Sequence, residues 1–230
     1  MPTKSILKIY DSYLRKLRKK RAELAMFQLT GKLEDRLTKE FASSIYSESA
    51  GALIALSNVG KRGEQKIDLA VLQGDFSKDI KRENAAIRAF IEAKYLRNAH
   101  KLCLGNAQDE LAGSLKDLKR QLWCFDKPEH GGFPVKLSGQ RKDIYGLVLA
   151  SYVRPNDEVD KEKAFLKRIR DLAEECGLTF NDFPDYPWLP LVYEGEVVRV
   201  LKRKFTVSLR VGLWRAGQTA KVPAYRVAQA

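Results

Sequence analysis

Apolar positions recur at helical spacing over the first fifth of the chain and afterwards come mostly in short alternating or continuous runs. Leu7, Tyr10, Leu14, Leu17, Leu24 and Phe27 stand three, four or seven apart, with Arg15, Lys16, Arg18, Lys19 and Lys20 between them. That pattern predicts one amphipathic helix with an apolar and a cationic face. After Gly31, the strict i+4 spacing of Leu33, Leu37, Phe41 and Ile45 predicts a second helix over about 32–46. Strands follow at 52–57, at Lys66–Leu72 and at Arg88–Leu96, with turn chemistry over 58–63 and a polar connector over 73–84. The last of these strands is expected to end at Asn98, Ala99 and His100.

A third helix is read over about 108–125 from Leu111, Leu115, Leu118 and Leu122. A Gly- and Pro-bearing loop over 127–141 leads to Ile144–Val153, a run apolar on both faces and therefore an internal strand. A fourth helix, about 160–176, turns Phe165, Ile169, Leu172 and Ala173 inward and stops at Gly177. Three prolines exclude regular structure over 182–190. Alternation from Glu196 to Arg215 then predicts two antiparallel strands, either extending the sheet or forming a small basic appendage. The fold expected is α/β, a mixed central sheet with helices on both faces. Its division is an N-terminal basic helix (1–30), a core (31–180) and a Pro-rich linker with a basic β extension (181–230).

Composition narrows the setting. No apolar run approaches the roughly 18 residues that span a bilayer, and the start of the chain has no apolar signal segment. Three cysteines without CxxC spacing support neither a disulfide framework nor a zinc cluster. A cytoplasmic protein without a membrane partner is expected. The net charge of +13 lies at the ends, since residues 1–21 and 196–230 carry +7 each and leave the middle near −1. Such flanks favour a polyanion through phosphate contacts. The N-terminal helix also offers a surface for a homodimer or another protein.

Candidate chemistry sits in the second and third strands, where Asp68 and Glu92 interrupt apolar runs. A carboxylate in a buried strand costs desolvation energy unless a cation or hydrogen-bond donors offset it. Period-two alternation places Glu92 and Lys94 on one face and turns Ala93 away. Two carboxylates and an ammonium converging on a point suit a hard divalent cation and phosphodiester hydrolysis.

These residues resemble the PD-(D/E)xK nuclease superfamily, the restriction-endonuclease-like fold. Asp68 corresponds to its metal-binding Asp, with Ile67 where the motif's Pro would stand, Glu92 to the variable acid and Lys94 to the lysine. The resemblance covers about residues 33–153. It implies a nuclease using Mg²⁺, with Mn²⁺ able to substitute, held by Asp68, Glu92 and the Ala93 carbonyl, with Lys94 orienting water or steadying phosphoryl charge. It also implies a Glu from the second helix. Glu40 lies beside Leu33 and Leu37 by angle and is preferred, Glu34 lies between Phe41 and Ile45 and is the alternative, and Glu48 is third. DNA is favoured over RNA, in phage defence, restriction or mobile-element processing. Lys116, Lys119, Arg120, Lys202, Arg203 and Lys204 are the expected nucleic-acid contacts. A non-catalytic nucleic-acid-binding or assembly subunit is the rival. His100 and His130 lack metal-pair spacing, Ser114 lacks the GxSxG elbow, and neither a Walker A loop nor a GxGxxG turn occurs.

Overall fold

The computed structural model describes residues 5–30, 33–59, 67–74, 86–98, 113–114, 116–117, 142–155, 159–175 and 190–218. Its elements are α1 (Ile6–Lys19), α2 (Arg21–Thr30), α3 (Leu33–Glu48), β1 (Leu53–Val59), β2 (Ile67–Gln73), β3 (Ala86–Asn98), β4 (Asp143–Pro155), α4 (Val159–Glu175), β5 (Leu191–Val200) and β6 (Arg203–Gln218). Lys116 lies in a helical turn, while most of the expected helix over 108–125, with Lys119 and Arg120, lies outside the described residues. The same holds for the 73–84 connector apart from Gln73 and Gly74, for His100 and His130, and for the loops over 127–141 and 182–189.

The N-terminal segment is two helices where periodicity predicted one. Ser5 caps α1 by accepting the Lys8 N–H at 3.3 Å. At Lys20 the backbone leaves helical geometry and its N–H turns back to the Leu17 carbonyl. The buried stripe is Ile6, Ile9, Tyr10, Tyr13, Leu14 and Leu17, so Leu7, expected inward, faces solvent. The bend lets α2 reach the sheet on its own axis. There the buried Gln28 amide donates to the carbonyls of Tyr152 (3.2 Å) and Ser208 (2.7 Å), with Tyr193 donating to Gln28 in turn. α3 ends at Ala50 and Gly51, both at positive φ, where the Gly51 N–H returns to the Tyr46 carbonyl.

Six strands, in the order β1-β2-β3-β4-β6-β5, form one mixed sheet in which β3 and β4 alone run parallel. β4 is internal, between β3 and β6, as a strand apolar on both faces must be. The C-terminal strands extend this sheet. β6 pairs with β4 from Phe205 to Gln218 and separates it from β5.

One hydrophobic cluster joins α1–α3 to the inward residues of the strands, from Leu69 and Ile91 through Leu147 to Leu209, Val211 and Leu213. The Tyr10 hydroxyl ties α1 to the Val211 carbonyl at 2.6 Å. The N-terminal helices and the C-terminal strands therefore share one hydrophobic cluster with the middle of the chain. On the opposite face Tyr152 meets Phe165 of α4, ring centroids 5.7 Å apart.

Candidate metal centre

β2 and β3 part company at the candidate site. Their ladder runs from Gln73↔Ala86 to Leu69↔Ile91 and is not continued at Asp68 and Glu92. Side chains replace it. The Ala93 N–H donates to Asp68 Oδ2 at 2.8 Å, and the Asp68 N–H donates to Glu92 Oε2 at 3.4 Å. Each acid thus grips the opposite strand, and the two carboxyl groups meet in the fork. Because N–H and C=O of one strand residue point to the same side, the Ala93 carbonyl is also directed toward β2.

Electrostatics make this pair costly in the absence of a cation. Glu92 is 3% exposed. Burial, then repulsion from Asp68, pushes its carboxyl up to about 8, against the backbone N–H of Asp68 and the attraction of Lys94. Asp68 is also raised, first by burial, with the Ala93 N–H, Lys94 and a hydrogen bond with the Glu92 carboxyl working against the rise. Burial, joined at Glu92 by repulsion from Asp68, thus pushes both carboxyls toward their protonated forms. Two buried acids in contact create a demand for positive charge, which Lys94 meets in part.

Glu34, in the first turn of α3, supplies a third acid. Burial and then the charge of Asp68 raise its carboxyl, while Lys94 and the Tyr95 N–H pull it down. Glu40 is elsewhere: it accepts from Arg36 at 3.1 Å and pairs with Lys20 at 3.4 Å. Glu48 pairs with Lys16 at 2.7 Å and accepts from Ser12. Of the three candidate helix acids, Glu34 is the one within electrostatic range of Asp68. The face of α3 that bears Glu40 and Glu48 is turned toward α1 and α2, where basic residues neutralise both.

A cavity of about 480 Å³ opens beside Asp68, lined by Glu34, Asp35, Thr38, Lys39, Ser57 and Asn58. Sequence reading left out Thr38, Ser57 and Asn58. Thr38, one turn after Glu34, and the turn-forming Asn58, at φ 54, were the available signals.

It also left out a row across the sheet, Glu92↔Gly146↔Trp214. The buried indole lies over Gly146 so closely that a Cβ there would stand 2.3–2.6 Å from ring atoms. A glycine inside an apolar strand was the signal for that close approach.

Among the described residues no three acid, histidine or cysteine side chains are set in metal-ligand geometry. The Asp68 and Glu92 carboxyl groups lie beside the Ala93 backbone, with Glu34 within electrostatic range. Lys202, Arg203 and Lys204 are exposed at the β5–β6 turn, away from this site, since Lys94 shares its register row with Val148 and Gly212, eight residues along β6 from Lys204. Comparison of the chain with family models, with curated proteins and with solved structures gives no match.

Proposed function

We propose that this chain is a Mg²⁺-dependent nuclease that hydrolyses phosphodiester bonds, of DNA rather than RNA, on a restriction-endonuclease-like core. The observation that carries the reading is the buried Asp68–Glu92 pair at the β2–β3 fork, both carboxyls raised by burial and drawn back by the charge of Lys94. A mixed sheet with two strand acids and a strand lysine meeting where neighbouring strands part is what the resemblance implies.

The donor set fits a hard divalent ion: carboxylate oxygens from Asp68 and Glu92 and the Ala93 carbonyl, with no sulfur or imidazole. Such an ion, when bound, supplies Lewis-acid polarisation of a phosphoryl oxygen and a more acidic attacking water. The chain's own residues do the rest. Asp68 and Glu92 ionise and hold the ion. Lys94 orients water and offsets charge that builds on the phosphoryl oxygens. Glu34 adds negative charge that tightens cation binding. The burial of Glu92, in the same row as Gly146 and its indole cover, strengthens each electrostatic interaction there.

The test is incubation with plasmid DNA, single-stranded DNA and RNA in Mg²⁺, Mn²⁺ or EDTA, with Lys94→Ala as control. Cleavage that needs the metal and Lys94 is expected. Binding without cleavage in any metal would favour a non-catalytic nucleic-acid-binding subunit. The reciprocal N–H bonds of Asp68 and Glu92 give that rival its footing, since carboxylates can serve as strand fasteners alone.

A further inference from the structure

At the free end of the β5–β6 ribbon, Val200 pairs with Arg203 across a two-residue turn made of Leu201 and Lys202. Of the two, Leu201 alone has positive φ, at 55°. Turns with positive φ at the first central position ordinarily place glycine there, so a branched apolar side chain is held at a conformational cost. Nothing in the packing repays it, because Leu201 is 91% exposed. Strain kept without a packing benefit points to use at the surface.

Arg199, Lys202, Arg203 and Lys204 surround the leucine and are all exposed. No carboxylate pairs with them among the described residues, whereas Lys16, Lys20 and Arg21 of the N-terminal helices are matched by Glu48, Glu40 and Glu196. Arg199 pairs with Lys204 on one face of the ribbon, and Arg203 lies with Val200 on the other. Cations on both faces with an apolar tip fit a groove between two phosphate walls, because a flat anionic surface could use only one face.

We propose that the β5–β6 turn is a DNA-binding wedge: the ribbon enters a groove of duplex DNA, its cations meet phosphates on both sides, and Leu201 inserts at a base step. Ten residues of β6 separate Lys204 from Trp214 in the row of Glu92. At ~3.4 Å per residue the wedge acts about 34 Å, or roughly ten base pairs, from the acid pair.

The inference takes its choice of polyanion from the nuclease reading, but its test is made in EDTA and needs no cleavage. The full chain is titrated against a duplex containing 2-aminopurine, by anisotropy and by the fluorescence of the modified base. Leu201→Gly, which relieves the strained turn, is expected to fold with an unchanged or higher Tm. It should bind about tenfold more weakly and lose the fluorescence rise that reports unstacking. Its log-log salt slope should match wild type, because no charge is lost. Replacing Lys202, Arg203 and Lys204 by Ala should instead flatten that slope.

Equal affinity and equal fluorescence for Leu201→Gly would overturn the wedge, even in a protein that cleaves with Mg²⁺. Leu201-dependent binding to phosphatidylserine vesicles without binding to the duplex would overturn it in favour of a membrane surface. A wedge signal from a protein that never cleaves would leave this inference standing while the nuclease reading fell.

Discussion

At the scale of single residues, the protonation of Glu92 gives the site its sharpest signature. Its carboxyl rises from an ordinary 4.5 to about 8 on folding, through burial first and repulsion by Asp68 second. A pKa raised by folding means that the folded state binds more protons than the unfolded one between those values. Metal-free stability should therefore be greatest at low pH in this window and fall as pH climbs through about 8, by on the order of 5 kcal/mol. Thermal melts in EDTA across the window check this. A flat profile would show that the pair carries no proton. Mg²⁺ should restore stability most at the alkaline end.

Glu92→Gln should flatten the profile, abolish cleavage, and keep or tighten DNA binding, because a negative charge that repels phosphate is gone. The two helix acids separate in the same way. Glu34→Gln should weaken Mg²⁺ activation, read as a higher Mg²⁺ concentration for half-maximal cleavage. Glu40→Gln should leave that concentration unchanged and cost only about 0–1 kcal/mol of stability, since it removes partly exposed pairs with Arg36 and Lys20.

At the scale of elements, the row Glu92↔Gly146↔Trp214 makes β3, β4 and β6 interdependent. A methyl group on Gly146 has no room under the indole. Gly146→Ala should cost about 1–3 kcal/mol through overpacking, measured by urea denaturation, and should lower the Glu92 pKa as the displaced ring admits water. If the variant is as stable as wild type and its pH profile does not move, the indole is not what shields that carboxyl.

At the scale of the whole molecule, the basic charge lies on the N-terminal helices and on the β5–β6 turn, and the Arg21–Glu196 pair joins the two regions. The basic N-terminal helices are partly neutralised by Glu40, Glu48 and Glu196, so the +7 counted there overstates their pull on a polyanion. The β5–β6 turn keeps its charge. Replacing Lys202, Arg203 and Lys204 by Ala should make the salt dependence of duplex binding shallower by up to roughly 3 in log-log slope, with cleavage at low salt surviving. An unchanged slope in a folded variant would move the electrostatic contact to the N-terminal helices or to Lys116.

What the sequence determined by itself was whatever depends on short-range periodicity. Alternation of period two is rigid, so Glu92 and Lys94 had to share a face of β3, and the apolar runs had to be strands of an α/β sheet with β4 inside it. The meeting of Asp68 with Glu92 followed from two neighbouring strands.

The helix acid was a different matter. Glu34 and Glu40 both border the apolar stripe of α3, and choosing between them needs the rotation of that helix against β1 and α1, which long-range packing sets. The break at Lys20 was equally hidden, because a spacing of seven between Leu17 and Leu24 suits one helix or two. Only the tertiary structure inserted β6 between β4 and β5, deciding that the C-terminal strands extend the sheet and fixing the distance from the acid pair to the basic turn. Strand order arises from contacts between residues far apart in the chain, and local hydrophobic pattern carries no record of which distant partner completes a sheet.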